Sequence, residues 1–135
     1  MPEDSTTLIL GIDLGGTKIL TAVTNSQGKM LSRDHSITPA SKGHEAVIQS
    51  ILESAHRALE QANVAISELT AVGIGAPGLS NPETGMLFTS PNLPGWRDVP
   101  LRDIMQERLG KRTFLINDAN AAALGEFYFG AARGA

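Results

Sequence analysis

The sequence predicts an α/β domain, or one lobe of something larger, built on a mixed five-stranded sheet with helices on both faces. Three observations carry that prediction. The opening stretch holds three β-branched or alternating runs separated by short Gly-containing turns, the pattern of an antiparallel meander. Beyond it, buried-strand runs alternate with stretches of helical period, which implies parallel pairing through right-handed crossovers. Hydrophobic residues make up 41% and charged residues 19% of the 135-residue chain, so one packed core is affordable and disorder is excluded.

Taken in order, residues 6–12 and 19–24 read as two strands of a hairpin with the glycine pair Gly15-Gly16 at its turn. Asn25-Ser26-Gln27-Gly28 makes the next turn, and residues 29–37 alternate loosely as a third strand. Thr38-Pro39 ends it, because proline cannot donate to a ladder. A helix follows over about residues 43–63, with Val47, Ile48, Ile51, Leu52, Ala55, Leu59 and Ala62 at three- and four-residue steps on one core-facing stripe. Ser41 is its expected N-cap, and Glu45 opposes the helix dipole in the first turn.

Residues 69–76 form a buried strand by their continuous apolar and small character. Residues 77–100, rich in Pro, Gly and Asn around the short apolar run Met86-Leu87-Phe88, read as a long functional loop. Asp98 is the expected cap of a short helix with Pro100 in its first turn. Leu101, Ile104, Met105 and Leu109 line its inner face, and Gly110 closes it. Residues 112–116 are the last strand, and Asn117-Asp118 caps an alanine-rich helix over residues 119–132.

The composition excludes several classes. A net charge of −3, a pI near 5.5 and no Lys/Arg cluster argue against a nucleic-acid face. With no cysteine, neither a disulfide nor a thiolate metal site forms within these residues. No apolar run reaches the roughly 18 residues of a membrane span, and residues 1–5 lack the layout of a signal peptide. A cytoplasmic location is the expectation.

Candidate sites gather around two aspartates. In Gly11-Ile12-Asp13-Leu14-Gly15-Gly16-Thr17-Lys18, a turn made by Gly15 and Gly16 at positive φ offers backbone N–H groups to phosphate oxygens. Thr17 adds a hydroxyl and Lys18 a cation. Asp13 would repel a phosphate unless a divalent cation lay between them, so the stretch reads as a Mg-nucleotide site rather than an ordinary hairpin. It is not the P-loop, since a strand and not a helix follows. Asp118 stands at the carboxyl end of a parallel strand, where it either accepts a proton from a bound hydroxyl as general base or simply caps its helix. Spacing alone leaves those two roles even. Asn117 and Asn120 beside it suit a polyol substrate.

Gly73-Ile74-Gly75-Ala76-Pro77-Gly78 matches the dinucleotide spacing G-x-G-x-x-G, but Pro77 interrupts it and no helical pattern follows. A glycine-lined wall close to a small ligand fits better. Asn92 can hydrogen-bond a hydroxyl, and Trp96 reads as an anchor that packs its loop down. Glu53 and His56, three apart on the first helix, read as a solvated face, and His35 and His44 carry no signal.

The Asp13–Lys18 turn, the Gly73–Gly78 segment, Asn92-Leu-Pro-Gly-Trp96 and Asn117-Asp118-Ala-Asn120 through Glu126 occur in the order seen in the ROK-family sugar kinases, which the chain resembles over nearly its whole length. The resemblance implies the actin-like, ribonuclease-H-like ATPase fold, with sugar and ATP held between two lobes. It implies that Asp13 serves the Mg²⁺–phosphate region and that Gly15, Gly16, Thr17 and Lys18 hold the ATP phosphates. Gly78, Asn92, Asn117 and Asp118 would bind the sugar, with Asp118 as the base.

Residues 1–135 are then expected to be the N-terminal lobe, inactive alone, with the second phosphate segment, the adenosine pocket and the family's zinc motif in a C-terminal lobe that the chain lacks. No helix-turn-helix precedes the first motif, which favours the kinase branch, glucokinase-like, over a non-catalytic sugar-sensing or regulatory module. The sugar itself is not named by these residues. A homodimer is expected from the apolar side of the last helix, including Phe127 and Phe129.

Overall fold

The computed structural model describes residues 7–76, 79–81, 86–89 and 96–117. Strands β1 (Leu8–Leu14), β2 (Lys18–Asn25) and β3 (Met30–Ile37) form the antiparallel meander. Helix α1 (His44–Ala62) then leads to β4 (Ala71–Ala76), and helix α2 (Leu101–Leu109) to β8 (Thr113–Asn117). The five-stranded sheet has the order β3-β2-β1-β4-β8, with β4 parallel to both β1 and β8. This is the mixed sheet that the sequence predicts. The helix expected over residues 119–132 lies outside the described residues, as do its capping Asp118 and the apolar side expected to drive dimerisation.

Strand β1 sits two residues later than expected. Its register runs to Leu14 opposite Ile19, which keeps Leu8, Leu10, Ile12 and Leu14 on one face. Those side chains join Ile19, Val23, Val72, Ile74 and Leu115 in the main core beneath both helices. The opposite face carries a smaller cluster of Ile9 and Ala71, with Phe114 against it.

Helix α1 begins later than Ser41. Residues Ala40–Lys42 coil into a 3₁₀ turn of their own, so the N-cap falls to Gly43 at φ +92°, a left-handed backbone that favours glycine. The predicted stripe is buried or half-buried, and Ser54 and Ala58 join it. Ser54 is the polar centre of the helix–sheet contact. Its Oγ donates to Asp34 Oδ2 at 2.7 Å, so the single Thr21 hydroxyl proton is the donor between the two residues, with the Ser54 Oγ at 2.9 Å and the Ser54 carbonyl at 3.2 Å as its acceptors. Arg57 donates to the same carboxylate from its Nε and one terminal nitrogen at 3.0–3.2 Å. Ser32 Oγ makes a separate tie between β3 and the helix by donating to the Ala58 carbonyl at 2.6 Å.

Residues 77–100 are not the continuous loop that their composition suggests. They include β5 (Leu79–Asn81), β6 (Met86–Thr89) and β7 (Arg97–Val99), a three-stranded antiparallel sheet with β6 at its centre. The apolar run at 86–88 supplies the middle strand. Its three-residue neighbours are too short to carry a period of their own. Asp98 lies in β7 at φ +51° and does not cap α2, whose N-cap is Pro100. Leu101, Met105 and Leu109 are buried, Ile104 packs partly against them, and Gly110 ends the helix at φ +68°. Glu45 in the first turn of α1 and Arg108 in the last turn of α2 form an ion pair at 2.7 Å, each sign at the helix end it complements.

Candidate functional site

The parallel register assembles one edge of the sheet. Asp13 on β1 lies opposite Gly75 on β4, and Gly75 opposite Ile116 on β8; one step on, Ala76 lies opposite Asn117. At a strand spacing of about 4.8 Å, Asp13 and Ile116 stand about 10 Å apart along this row. The carboxyl ends of β1, β4 and β8 therefore converge, as expected of a ligand site in a sheet of this kind. Gly75 between them leaves the row without a side chain in its middle. Asn117 ends β8 at this edge. Gly78, Asn92 and Asp118 lie outside the described residues.

The turn between β1 and β2 is held more firmly than its sequence indicates. Gly15 N–H donates to the Lys18 carbonyl at 2.9 Å. Two further bonds come from Thr38, just beyond β3: its N–H donates to the Thr17 carbonyl and its Oγ1 to the Gly15 carbonyl, each at 2.9 Å. Thr38 is buried, and Pro39 after it turns the chain into the 3₁₀ segment. No motif marks Thr38. A Thr-Pro step reads only as a strand end.

The expectation of positive φ at Gly15 and Gly16 is not met. The positive-φ glycines among the described residues are Gly28, Gly43 and Gly110. Gly15 is needed for a different reason: a Cβ there would sit 2.9 Å from the Lys18 carbonyl oxygen, closer than real side chains approach. The two strands pinch at the turn, and only a residue without a side chain fits.

This turn suits a phosphate. The N–H groups of Gly16 and Thr17 have no acceptor among the described residues, and Thr17 and Lys18 are exposed at the same corner. Lys18 enters no ion pair among the described residues. Asp13 is half-buried at the base of the turn. Among the described residues no cluster of three or more His, Asp or Glu suits a metal. A single carboxylate fits Mg²⁺ held largely by phosphate oxygens and water, and does not fit a dedicated all-protein cage.

Other candidates resolve plainly. Glu53 and His56 are exposed on α1. Trp96 is buried at 2% exposure and meets the His44 ring edge-on at 6.1 Å, a packed position as expected of an anchor; the residues before it, 90–95, lie outside the described residues. Gly73 and Gly75 lie inside β4 instead of in a turn opening a helix, which removes the dinucleotide reading. Among the described residues no helix is long and apolar enough to cross a membrane.

A meander feeding two parallel strands, with a glycine turn between the first two, fits the actin-like ATPase fold, and solved structures similar to this one share it. The chain belongs to the ROK family, whose model matches residues 9–135. It is 43% identical over 126 residues to a glucokinase of Thermotoga maritima, an alignment covering 93% of this chain and 38% of that protein. A ROK family glucokinase from Streptomyces griseus, solved in complex with glucose and AMPPNP, matches with a TM-score of 0.75 and 37% identity, over 94% of this chain and 38% of that one. A xylose repressor of Caldicellulosiruptor bescii is 31% identical over 122 residues, 90% of this chain and 30% of the repressor. The chain thus spans under two fifths of the length of each of these three relatives.

Proposed function

We propose that residues 1–135 are the N-terminal lobe of an ATP-dependent hexose kinase, glucokinase-like, acting in the cytoplasm. The observation that carries this reading is the sheet edge, where Asp13, at the foot of the glycine turn, shares a row with Gly75 and with Ile116, two residues before Asp118. Glucokinases among the relatives, one with glucose and AMPPNP bound, support it. ATP would supply the γ-phosphoryl group, with Mg²⁺ offsetting its charge.

The chain's own residues then divide the work. Gly15, Gly16, Thr17 and Lys18 hold phosphate oxygens, and Asp13 orients the cation through water or directly. Gly78, Asn92 and Asn117 hold sugar hydroxyls. Asp118 accepts the proton of the attacking hydroxyl. Catalysis of this kind is mostly positioning and charge stabilisation, which accounts for a site of glycines, amides and aspartates with no nucleophile.

A second reading, a sugar-sensing regulator with the same pocket and no turnover, is favoured by the xylose repressor relatives. The test is sugar-dependent ADP release by the full-length protein across a panel of glucose, mannose, fructose and N-acetyl sugars. The kinase reading expects turnover with at least one of them, and Asp118→Asn should lower kcat about 10²- to 10⁴-fold while sugar binding survives. Sugar binding without turnover would leave the regulator.

A further inference from the structure

We infer that Thr38 is a positioning residue for the nucleotide: it aims the Gly16 N–H at the phosphates by holding the carbonyl of the preceding residue. The inference rests on the phosphate role of the glycine turn proposed above. A peptide unit is planar, and its C=O and N–H point in opposite directions. The Gly15 carbonyl and the Gly16 N–H belong to one such unit. Thr38 Oγ1, bonded to that carbonyl at 2.9 Å, therefore sets the direction in which the Gly16 donor points. The Thr38 N–H does the same for the next plane but one through the Thr17 carbonyl, at 2.9 Å.

Apart from the Gly15 N–H bond to the Lys18 carbonyl, the turn has little else to hold it. Its residues are two glycines and two exposed side chains, and Gly15 has been cleared of a Cβ by the pinch against Lys18. Left to itself, a Gly-Gly peptide samples many orientations at small cost. A donor that must be ordered at the moment of binding gives up part of its binding energy, and a donor already ordered does not. Thr38 can supply that order because it is itself fixed: it is 6% exposed, follows directly on a paired strand, and is followed by Pro39, whose φ is locked. A residue beyond the third strand thereby governs a ligand contact made between the first two.

The test is Thr38→Val in the full-length protein, which keeps the shape and the backbone bond and removes only the hydroxyl. The dissociation constant of Mg-AMPPNP, by calorimetry, and the KM for MgATP should rise about three- to tenfold, the ratio expected for one net hydrogen bond. The KM for the sugar should stay where it is, and Thr38→Ser, which restores an Oγ, should recover nucleotide affinity. Thr38→Ala provides the same comparison if the valine variant folds poorly. Unchanged nucleotide affinity in a folded variant overturns the inference, as does an equal rise in both KM values. Wild-type protein that binds Mg-AMPPNP but phosphorylates no sugar would sink the kinase reading alone, and the comparison of variants in the binding assay still decides for or against Thr38. Wild-type protein that binds no Mg-AMPPNP overturns both.

Discussion

A methyl group is enough to probe the glycine turn. Gly15→Ala would put a Cβ 2.9 Å from the Lys18 carbonyl oxygen, so the strands must part at the turn. Overpacking of this kind costs about 1–3 kcal/mol, measurable as a lower midpoint in urea, and nucleotide affinity should fall with it. Asp34 offers a second residue-scale test. Burial raises its pKa, but the hydrogen bonds from Arg57 and Ser54 act the other way and together leave it below its ordinary value. A carboxylate whose folded pKa is depressed stabilises the fold above its unfolded pKa of about 3.9, and that contribution disappears as pH falls through the folded value. Asp34→Asn should therefore unfold more readily at neutral pH, with a gap to wild type that narrows below about pH 4 in thermal melts. The candidates Asp13, Gly15, Gly16, Thr17 and Lys18 were recognisable in the sequence because they are neighbours in it. Thr38 was not, because its hydroxyl acts on a carbonyl 23 residues back along the chain.

At the scale of elements, α1 carries the packing. Ile48 and Ile51 are fully buried between the helix and the sheet. Ile48→Ala should cost about 2–5 kcal/mol, read from chemical denaturation, without moving the sheet edge where ligands are proposed to bind. Gly110→Ala tests a helix end in isolation. No atom lies within 4 Å of the missing Cβ, so the whole penalty is the left-handed backbone at φ +68°, about 1–2 kcal/mol, and Gly110→Asn should cost less.

Periodicity and short apolar runs revealed both described helices and the five strands of the main sheet, although β3, exposed or half-buried throughout, offers only a loose alternation. They missed Ser54, a polar residue whose burial depends on Thr21 and Asp34 arriving from two strands. They missed the capping glycine, because Ser41 had the right chemistry two positions too early. The small sheet was hidden for a further reason: strands of three residues exist only by virtue of their partners.

For the whole molecule, the proposed two-lobe reading gives residues 1–135 one phosphate turn and leaves the adenosine pocket to a second lobe. Residues 1–135 expressed alone should fold and release no ADP in response to sugar; sugar-dependent turnover by this piece would contradict the two-lobe reading. Light scattering at rising concentration checks the proposed homodimer, and a strictly monomeric profile would remove it. The order β3-β2-β1-β4-β8 also bears on how the protein is made. A ribosome delivers β1, β2 and β3 first, and these pair with near neighbours. Strand β4 then docks on β1, but its other edge, flanked by Val72 and Ile74, has no partner until Thr113–Asn117 has been synthesised. An unpaired apolar edge is a template for aggregation, and nascent chains expose it for as long as translation takes to cross that interval. Slow codons between Ala76 and Thr113 should therefore lower the yield of folded protein, whereas slow codons within the meander should not.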